Sequence, residues 1–418
     1  MSHEFTQPIQ ANERADILDI LRGFALLGIA LANYGTLSQY FFISQETRLA
    51  LPTANVDQWL NGINTIFING KFYSLFSLLF GVGFAIVFSR NTARGQNGVS
   101  VFYRRLGVLA LFGLIHCLLI WDGDILFFYA VVGSFLPLFR NVSDKNLLLV
   151  ALVLIFSPLL FDAVKVVSDG NWSMGNLIIG HLQKIDQSLG ITDENVGTWL
   201  QVNSSYKDLL QWNSSGFLWG WHLRLDSNRI PKVLAMFLIG LYVGRNGLFL
   251  KPEKNKKLLQ KLQVAGLTIG ISAGLASLWF EHDNQRLPEA GGLWDTLFHA
   301  LNVAPLSIAY AATLALWYLN PKTKKILLTL RPVGRMALTN YIMQAVFGII
   351  IFYGIGFGLG SDLGPAYYMP IAIAVFSFQI IYSHLWFRHF TYGPLEWIWR
   401  QLTYGKRLSI RKTEIKLT

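Results

Sequence analysis

His116 is the residue whose type and position best fit catalysis. It lies five residues before Trp121, in a segment that continues as Asp122-Gly123-Asp124. Imidazole titrates near pH 6.5, so a histidine can act as a base, an acid or a nucleophile. Asp122 and Asp124 are close enough in sequence to hold its tautomer or to take its proton. The alternative is a structural histidine that is hydrogen-bonded to a neighbouring helix.

Two further groups of polar residues lie inside apolar segments. Asp19 and Arg22 are one helical turn apart and can form an ion pair. The alternative is an interfacial pair whose long side chain reaches the lipid headgroups. Thr339, Asn340 and Gln344 place hydrogen-bonding groups in an otherwise apolar helix. Such a stripe faces protein or ligand rather than lipid, so it either binds a ligand or joins two helices.

Metal ligation is not indicated by the spacing of the candidate ligands. No two histidines have a spacing such as H-E-x-x-H, and Cys117 beside His116 is not a zinc site. We therefore predict no metal.

These residues belong to a chain that is too apolar for a soluble domain. Of the 418 residues, 53% are hydrophobic and 14% are charged, and the mean hydropathy is +0.40. Soluble domains are about 25% charged. A single cysteine excludes an internal disulfide. The net charge of +11 is then explained by basic cytoplasmic loops and does not indicate binding to nucleic acid.

The apolar segments predict an all-α polytopic membrane protein with about ten transmembrane helices in a single domain, 1–418. A helix that crosses the hydrocarbon layer needs about 20 mostly apolar residues. Asp122-Gly123 forms a tight hairpin between the third and fourth helices. The predicted spans are 18–38, 71–90, 103–121, 124–140, 145–165, 231–249, 259–280, 293–319, 335–358 and 366–388.

Basic residues predict the orientation of these spans. With a cytoplasmic N-terminus, 26 of the 35 Lys and Arg residues lie on the cytoplasmic side, as the positive-inside rule requires. We therefore expect a plasma-membrane protein with both termini in the cytoplasm. Glu13, Asp16 and Asp19 precede the first span and do not suit a signal peptide, so we expect that span to be uncleaved. The nine basic residues on the outer side are Arg48, Lys71, Lys165, Lys184, Lys207, Arg224, Arg229, Lys232 and Arg286.

Three segments are predicted to lie outside the hydrocarbon layer. Segments 39–70 and 166–230 form outer loops, and 166–230 carries five tryptophans. They form a cap over the outer mouth of the bundle, or alternatively their aromatic side chains rest on the headgroups. The cytoplasmic tail 389–418 contains Gly393–Arg400, which predicts an amphipathic helix on the inner leaflet in contact with membrane lipids.

Short motifs distributed over the whole chain resemble one known family. They are Leu18–Ile29, Gly70–Phe72, Leu75–Phe84, Tyr103–Arg105, His116–Leu126, Phe237–Arg245, Gly334–Tyr341 and Gly393–Trp397. Together they resemble the YeiB-like family, domain of unknown function 418. That family is similar to membrane acyltransferases such as the heparan-α-glucosaminide acetyltransferases and the O-antigen acylating enzymes. The resemblance implies a helical bundle that moves an acyl (acetyl) group from cytosolic acyl-CoA to an extracytoplasmic glycan or lipid acceptor.

The chain departs from the catalytic patterns of those relatives. The O-acylating enzymes have an Arg followed eleven positions later by a His, whereas Arg22 is followed by Asn33. The heparan enzymes have a His just before the second span, where this chain has Gly70-Lys71. His116 would therefore act from a different helix, as base or as acylated nucleophile. Asn33 or Lys71 would stabilise the oxyanion.

The acyl-CoA site is expected at the cytoplasmic ends of the spans. Coenzyme A is anionic, and arginine binds phosphate through paired hydrogen bonds. The alternative function is export or transport of a small molecule or lipid, with the ionisable residues of the spans as a relay. A homo-oligomer is compatible with either function. The residues predicted to bind acyl-CoA are Asp19, Arg22, Lys71, Arg104, Arg105, Arg245, Arg335 and Asn340.

Overall fold

The fold is known from a computed structural model that describes residues 15–93, 95, 97–192, 195–281 and 287–412. The N-terminal segment before residue 15, the end of the tail after residue 412, and Arg286 lie outside the described residues. Within the described ranges the chain is helical, and its β pairing is one isolated bridge between Phe390 and Arg411. The predicted all-α class is confirmed.

Eighteen α-helices account for the described part of the chain. In chain order they are α1 (Asp16–Leu37), α2 (Gln45–Ala50), α3 (Ala54–Ile63), α4 (Lys71–Ala93), α5 (Gly98–Leu119), α6 (Leu126–Gly133), α7 (Asp144–Val167), α8 (Asn176–Ser188), α9 (Val196–Val202), α10 (Tyr206–Asp226), α11 (Arg229–Arg245), α12 (Lys256–Glu281), α13 (Gly292–Tyr318), α14 (Pro321–Leu327), α15 (Arg331–Arg335), α16 (Ala337–Phe352), α17 (Pro365–His389) and α18 (Pro394–Tyr404).

Seven segments of the described chain are long and apolar enough to cross a membrane: α1, α3 together with α4, α5, α7, α12, α13 and α17. The helices from Pro321 to Arg335 meet α16 at a bend of 80° and give an eighth span if they are counted together. All ten predicted segments are helical, but the helices in two of them are too short to cross the hydrocarbon layer. Helix α6 ends at Gly133, and α11 has 17 residues, about 26 Å of helix against a hydrocarbon layer of about 30 Å.

Helices α4 and α11 pack with their backbones in contact at two glycines. A Cβ atom added to Gly81 would lie 2.0 Å from the carbonyl oxygen of Phe237. A Cβ atom added to Gly240 would lie 2.0 Å from the carbonyl oxygen of Leu78. Lipid provides no hydrophobic force between helices, so small residues that allow close packing stabilise such a pair.

Helices α1 and α15 are joined in the same way near the inner end of the bundle. A Cβ atom on Gly334 would lie 1.8 Å from the carbonyl oxygen of Asp19, and one on Gly23 would lie 2.4 Å from that of Leu330. Asp19 and Arg22 form a 2.6 Å ion pair on the adjoining turn of α1. The glycines therefore place this ion pair beside α15.

The tryptophan-rich segment 166–230 folds into α8, α9 and α10 on the predicted outer side. Trp212 is buried among apolar side chains that include Trp121 and Tyr353, whereas Trp172 is 77% exposed. Helix α10 bonds directly to α5, because Tyr206 donates a 2.6 Å hydrogen bond to the carbonyl oxygen of Leu119. Part of the segment therefore covers the bundle and part of it is exposed.

The orientation predicts opposite labelling of two engineered cysteines. Ser204 and Ser409 are both exposed, and the native Cys117 is buried and should give little background. In intact cells an impermeant maleimide should label Ser204→Cys, while Ser409→Cys should react only after the membrane is permeabilised. Labelling of both positions from the same side would contradict the orientation.

The glycine contact between α4 and α11 predicts that alanine lowers the stability of the protein at one glycine of α4 but not at another. Gly81→Ala should lower the unfolding free energy by about 1–3 kcal/mol, because the added methyl group overpacks the contact. Gly83→Ala is the matched control, since no atom lies within 4 Å of the added Cβ. Thermal unfolding of both purified variants in detergent checks this. Equal melting temperatures would contradict the proposed close contact.

Candidate functional site

A cavity of about 470 Å³ lies between the inner halves of α1, α4, α5, α16 and α18. Along α4 it runs from Phe76 to Arg90, which is about 21 Å of helix. Its upper part, which is farther from the predicted cytoplasmic side, is lined by apolar and aromatic side chains, among them Phe80, Phe84 and Leu109. Its lower part, at the predicted cytoplasmic side, is lined by charged residues. The cavity therefore suits a ligand with an anionic end and an apolar end.

The charged lower part of this cavity carries an excess of positive charge. Arg22, Arg105 and Arg335, which the sequence analysis assigned to acyl-CoA, line this one cavity together. Five arginines against two carboxylates give a formal charge of +3, which attracts anions. The charged lining residues are Arg22, Arg90, Arg105, Arg335, Arg400, Asp19 and Glu396.

Aromatic rings contact three of these arginines, and the guanidinium carbon of Arg400 lies 5.0 Å from the centre of the Tyr392 ring. The guanidinium carbon of Arg105 lies 4.4 Å from the centre of the Trp399 ring, and that of Arg335 lies 4.0 Å from the centre of the Phe387 ring. Trp399 also donates a 3.2 Å hydrogen bond from its indole N–H to the carbonyl oxygen of Arg105. Cation–π contacts of this kind order a guanidinium without neutralising it.

Glu396 attaches α18 to the cavity. Its Oε1 atom accepts hydrogen bonds from the backbone N–H groups of Leu338 (2.7 Å) and Thr339 (3.1 Å), and its Oε2 atom accepts one from the Thr339 hydroxyl (2.7 Å). A carboxylate in this position caps the N-terminus of α16 and interacts favourably with its dipole. Burial raises the pKa of Glu396, and the hydrogen bonds from Thr339 and the backbone oppose that shift. The amphipathic helix predicted in the tail is therefore fastened across the cavity mouth.

His116 and Asp124 form a buried hydrogen-bonded pair. The Nδ1 atom of His116 lies 3.0 Å from Oδ1 of Asp124, and both side chains are almost completely buried. The second carboxylate oxygen of Asp124 accepts a 2.7 Å hydrogen bond from the N–H of Phe127. An ionised carboxylate only accepts hydrogen bonds, so in the neutral imidazole this contact places the proton on Nδ1 and leaves the lone pair on Nε2. In the described part of the chain, Nε2 has no hydrogen-bond partner.

Asp122, the second predicted partner of His116, packs elsewhere. Asp122 lies against α10, where a Cβ atom added to Gly216 would be 2.4 Å from the Cβ atom of Asp122. Burial raises the pKa of Asp122 to about 6, and nearby Arg224 and His116 lower it. Arg224 donates a hydrogen bond to the carbonyl oxygen of Asp124. Helix α10 therefore supports the hairpin that positions the His116–Asp124 pair.

Tyr341 separates the cavity from this pair. Its side chain lines the cavity, and the centre of its ring lies 5.2 Å from that of His116. Its hydroxyl accepts a 3.2 Å hydrogen bond from the N–H of Ile125 and donates a 3.4 Å one to the carbonyl oxygen of Gly123. His116 itself is not among the residues that line this cavity, because the Tyr341 ring lies against it.

Two predicted arginines lie outside this cavity. Arg104 is exposed and does not line it, because it is one position, and therefore about 100°, away from Arg105 around α5. Arg245 instead donates hydrogen bonds to the carbonyl oxygens of Val142 (2.8 Å) and Phe139 (2.9 Å) and holds an inner turn in place.

Lys71, Asn33 and Asn340 also lie outside the cavity lining. Lys71 is buried at the outer end of α4, about 28 Å of helix from Arg90, and donates a 2.5 Å hydrogen bond to the carbonyl oxygen of Thr65. Asn33 lies on α1 above the lined turns. The amide of Asn340 donates to the carbonyl oxygen of Val333 (3.1 Å) and to the Ser383 hydroxyl (3.2 Å). Asn340 therefore joins helices, as one of the two sequence interpretations expected.

Several residues of the site were missed from the sequence. Arg90 and Arg400 carry the same signal as every other inner arginine, so sequence alone does not single them out. Tyr341 was noticed only as part of a motif. An aromatic residue in an apolar helix has no pattern that marks contact with a distant histidine.

Among the described residues, no three His, Cys, Asp or Glu side chains are grouped closely enough to hold a metal ion.

Comparison with known proteins places the chain among relatives that match it almost end to end. Residues 243–406 match the family model described as "Protein of unknown function (DUF418)". The uncharacterized protein YxaH of Bacillus subtilis is 34% identical over 405 residues, which cover 95% of this chain and 96% of the relative. The uncharacterized protein YeiB of Escherichia coli is 28% identical over 94% of this chain and 96% of its own length. No solved structure matches the chain.

Proposed function

This chain belongs to the DUF418 family of YeiB-like proteins, and on that premise we propose that it is a membrane acyltransferase. It would take an acyl group from cytosolic acyl-CoA and transfer it to a hydroxyl or amine of a glycan or lipid on the opposite side. The proposal includes a plasma-membrane location with both termini in the cytoplasm. The observation that carries it is one cavity with an arginine-rich mouth that ends one aromatic ring away from a His–Asp pair.

The mouth of the cavity fits the donor. Acyl-CoA carries several phosphate charges at one end and a thioester at the end of a long, weakly polar arm. Arg22, Arg105 and Arg335 offer guanidinium groups to the phosphates, and arginine binds phosphate through two parallel hydrogen bonds. The apolar upper part, with Phe80 and Leu109, then accommodates the arm and the acyl group.

The His116–Asp124 pair fits the chemistry of transfer. Nε2 of His116 takes the proton of the acceptor hydroxyl, and the acceptor oxygen attacks the thioester carbonyl carbon. The carbon–sulfur bond then breaks, and the leaving thiolate takes the proton from His116, which gives an ester and free coenzyme A. Asp124 holds the tautomer and stabilises the imidazolium. Because the Tyr341 ring lies between His116 and the cavity, the acyl group reaches the pair when this ring moves aside.

Neighbouring arginines on α5 give a matched test of the donor site. Arg105→Gln should weaken acetyl-CoA binding about 10-fold to 100-fold, since a hydrogen bond to a charged group contributes about 1.5–3 kcal/mol. Arg104→Gln should bind like the unchanged protein, because Arg104 is exposed outside the cavity. Calorimetry of the purified protein in nanodiscs measures both. Equal affinities for the two variants would place the donor elsewhere.

Removal of the imidazole tests the catalytic role of His116. His116→Ala should reduce acyl transfer from labelled acetyl-CoA to membrane lipids and glycans about 10²-fold to 10⁴-fold, the usual contribution of a general base. Asp124→Asn should also reduce it, because it disturbs the tautomer of His116. His384→Ala is the control, since His384 is exposed and bonds to the carbonyl oxygen of Ile380. Full transfer activity in His116→Ala would exclude this mechanism.

A further inference from the structure

A second group of basic side chains lies where the outer ends of α4, α11 and α13 meet. We call Lys71, Arg229, Lys232 and His299 the outer basic cluster. His299 lies within electrostatic range of the other three residues. Its ring also packs against the turn before α4, where a Cβ on Gly70 would lie 3.4 Å from its Cε1 atom. The cluster is therefore built from three helices that are distant in sequence.

The acids nearest to this cluster are mostly engaged with another residue. Lys165 lies 3.2 Å from Asp162 and 3.1 Å from Asp226. The two carboxylates are thus shared with a lysine outside the cluster. Asp295 and Asp162 are the acids in electrostatic range of Lys232. The acids near Lys232 are therefore Asp295 and an Asp162 that is already ion-paired to Lys165.

Two members of the cluster make no direct ion pair with an acid in the described part of the chain. The guanidinium carbon of Arg229 lies 5.1 Å from the centre of the Tyr73 ring, which is a cation–π contact. In the part of the chain that the structure describes, neither Arg229 nor Lys232 makes an ion pair or a hydrogen bond through its side chain. Partly buried charges without a partner are costly at membrane depth, so such residues mark ligand sites.

The cluster is also close to the proposed catalytic pair. Arg229 lies within electrostatic range of Arg224, which bonds to the carbonyl oxygen of Asp124. It is also in range of Tyr129, whose side chain lines the inner cavity. Tyr129 in turn donates a 2.6 Å hydrogen bond to the carbonyl oxygen of Tyr73. Arg224 therefore connects the cluster to the hairpin of Asp124, and Tyr129 connects the Tyr73 backbone to the inner cavity.

We propose that the outer basic cluster binds a phosphate ester on the acyl acceptor, so that the acceptor is a phosphorylated glycan or lipid. This inference rests on the proposed function and names its substrate class. A phosphate group carries up to two negative charges, and Arg229 and Lys232 offer it two basic side chains that make no direct ion pair within the described residues. Its position beside Arg224 brings the rest of the acceptor towards His116. A phospholipid headgroup offers the same chemistry, so the experiment separates the two sources.

Binding of sn-glycerol 1-phosphate tests the cluster. The full chain is placed in nanodiscs of phosphatidylcholine, and binding is measured by calorimetry. The double variant Arg229→Gln/Lys232→Gln should lose at least 10-fold in affinity. The charge-preserving exchange Arg229→Lys/Lys232→Arg should keep most of it. Lys207→Gln is the matched control, because Lys207 is an exposed basic residue of the outer segment.

Three outcomes would overturn the proposal. The double variant binds as tightly as the unchanged protein, the Lys207→Gln control loses as much, or the unchanged protein retains phosphatidylglycerol but does not bind glycerol phosphate. The last result would identify a structural lipid. Acetyl-CoA binding is measured in the same samples and should be equal in all of them. Its absence throughout would contradict the proposed acyltransferase while leaving the phosphate site intact.

Discussion

Close backbone contact at a few glycines is the constraint on which the rest of this structure depends. Water drives apolar faces together in a soluble protein, but lipid gives no such force, so helices associate where small residues let them approach. Gly81 and Gly240 join α4 to α11, while Gly23 and Gly334 join α1 to α15. The second contact sets Arg22 and Arg335 on one cavity, since each lies within one turn of its glycine.

The charged and titratable side chains inside this bundle are stabilised by groups that lie next to them. The buried His116 is paired with Asp124, whose other oxygen is bonded to the backbone at Phe127. Glu396 is half-buried at the start of α16, where the helix dipole and three hydrogen bonds stabilise it. Aromatic rings contact Arg105 and Arg335 at the mouth, and the five arginines there outnumber the two carboxylates.

The helical class and a basic cytoplasmic side could be predicted from hydropathy and charge asymmetry, which are strong signals in membrane proteins, and the family could be predicted from short motifs. The remaining features depend on rotation and depth. The positive-inside rule selects Arg104 and Arg105 equally, and only their difference of about 100° around α5 separates them. Lys71 was assigned to the cytoplasmic ligand, although it lies at the first position of α4 and Arg90 lies in the last turn of the same helix. The contact between Tyr341 and His116 joins positions more than 200 residues apart and leaves no pattern in a single sequence.

The arrangement of the two polar sites also bears on how the membrane stays sealed. An enzyme that binds one ligand from each side needs a barrier between them that opens only for the reacting group. The hydroxyl of Tyr341 bonds to the backbone on both sides of Asp124, at Gly123 and Ile125, and that of Tyr129 bonds to Tyr73. Both are large aromatic side chains fixed at their polar ends, and both line the upper part of the cavity. In the proposed reaction one of these rings moves aside for the acyl group, and the glycine contacts between the helices involve other residues.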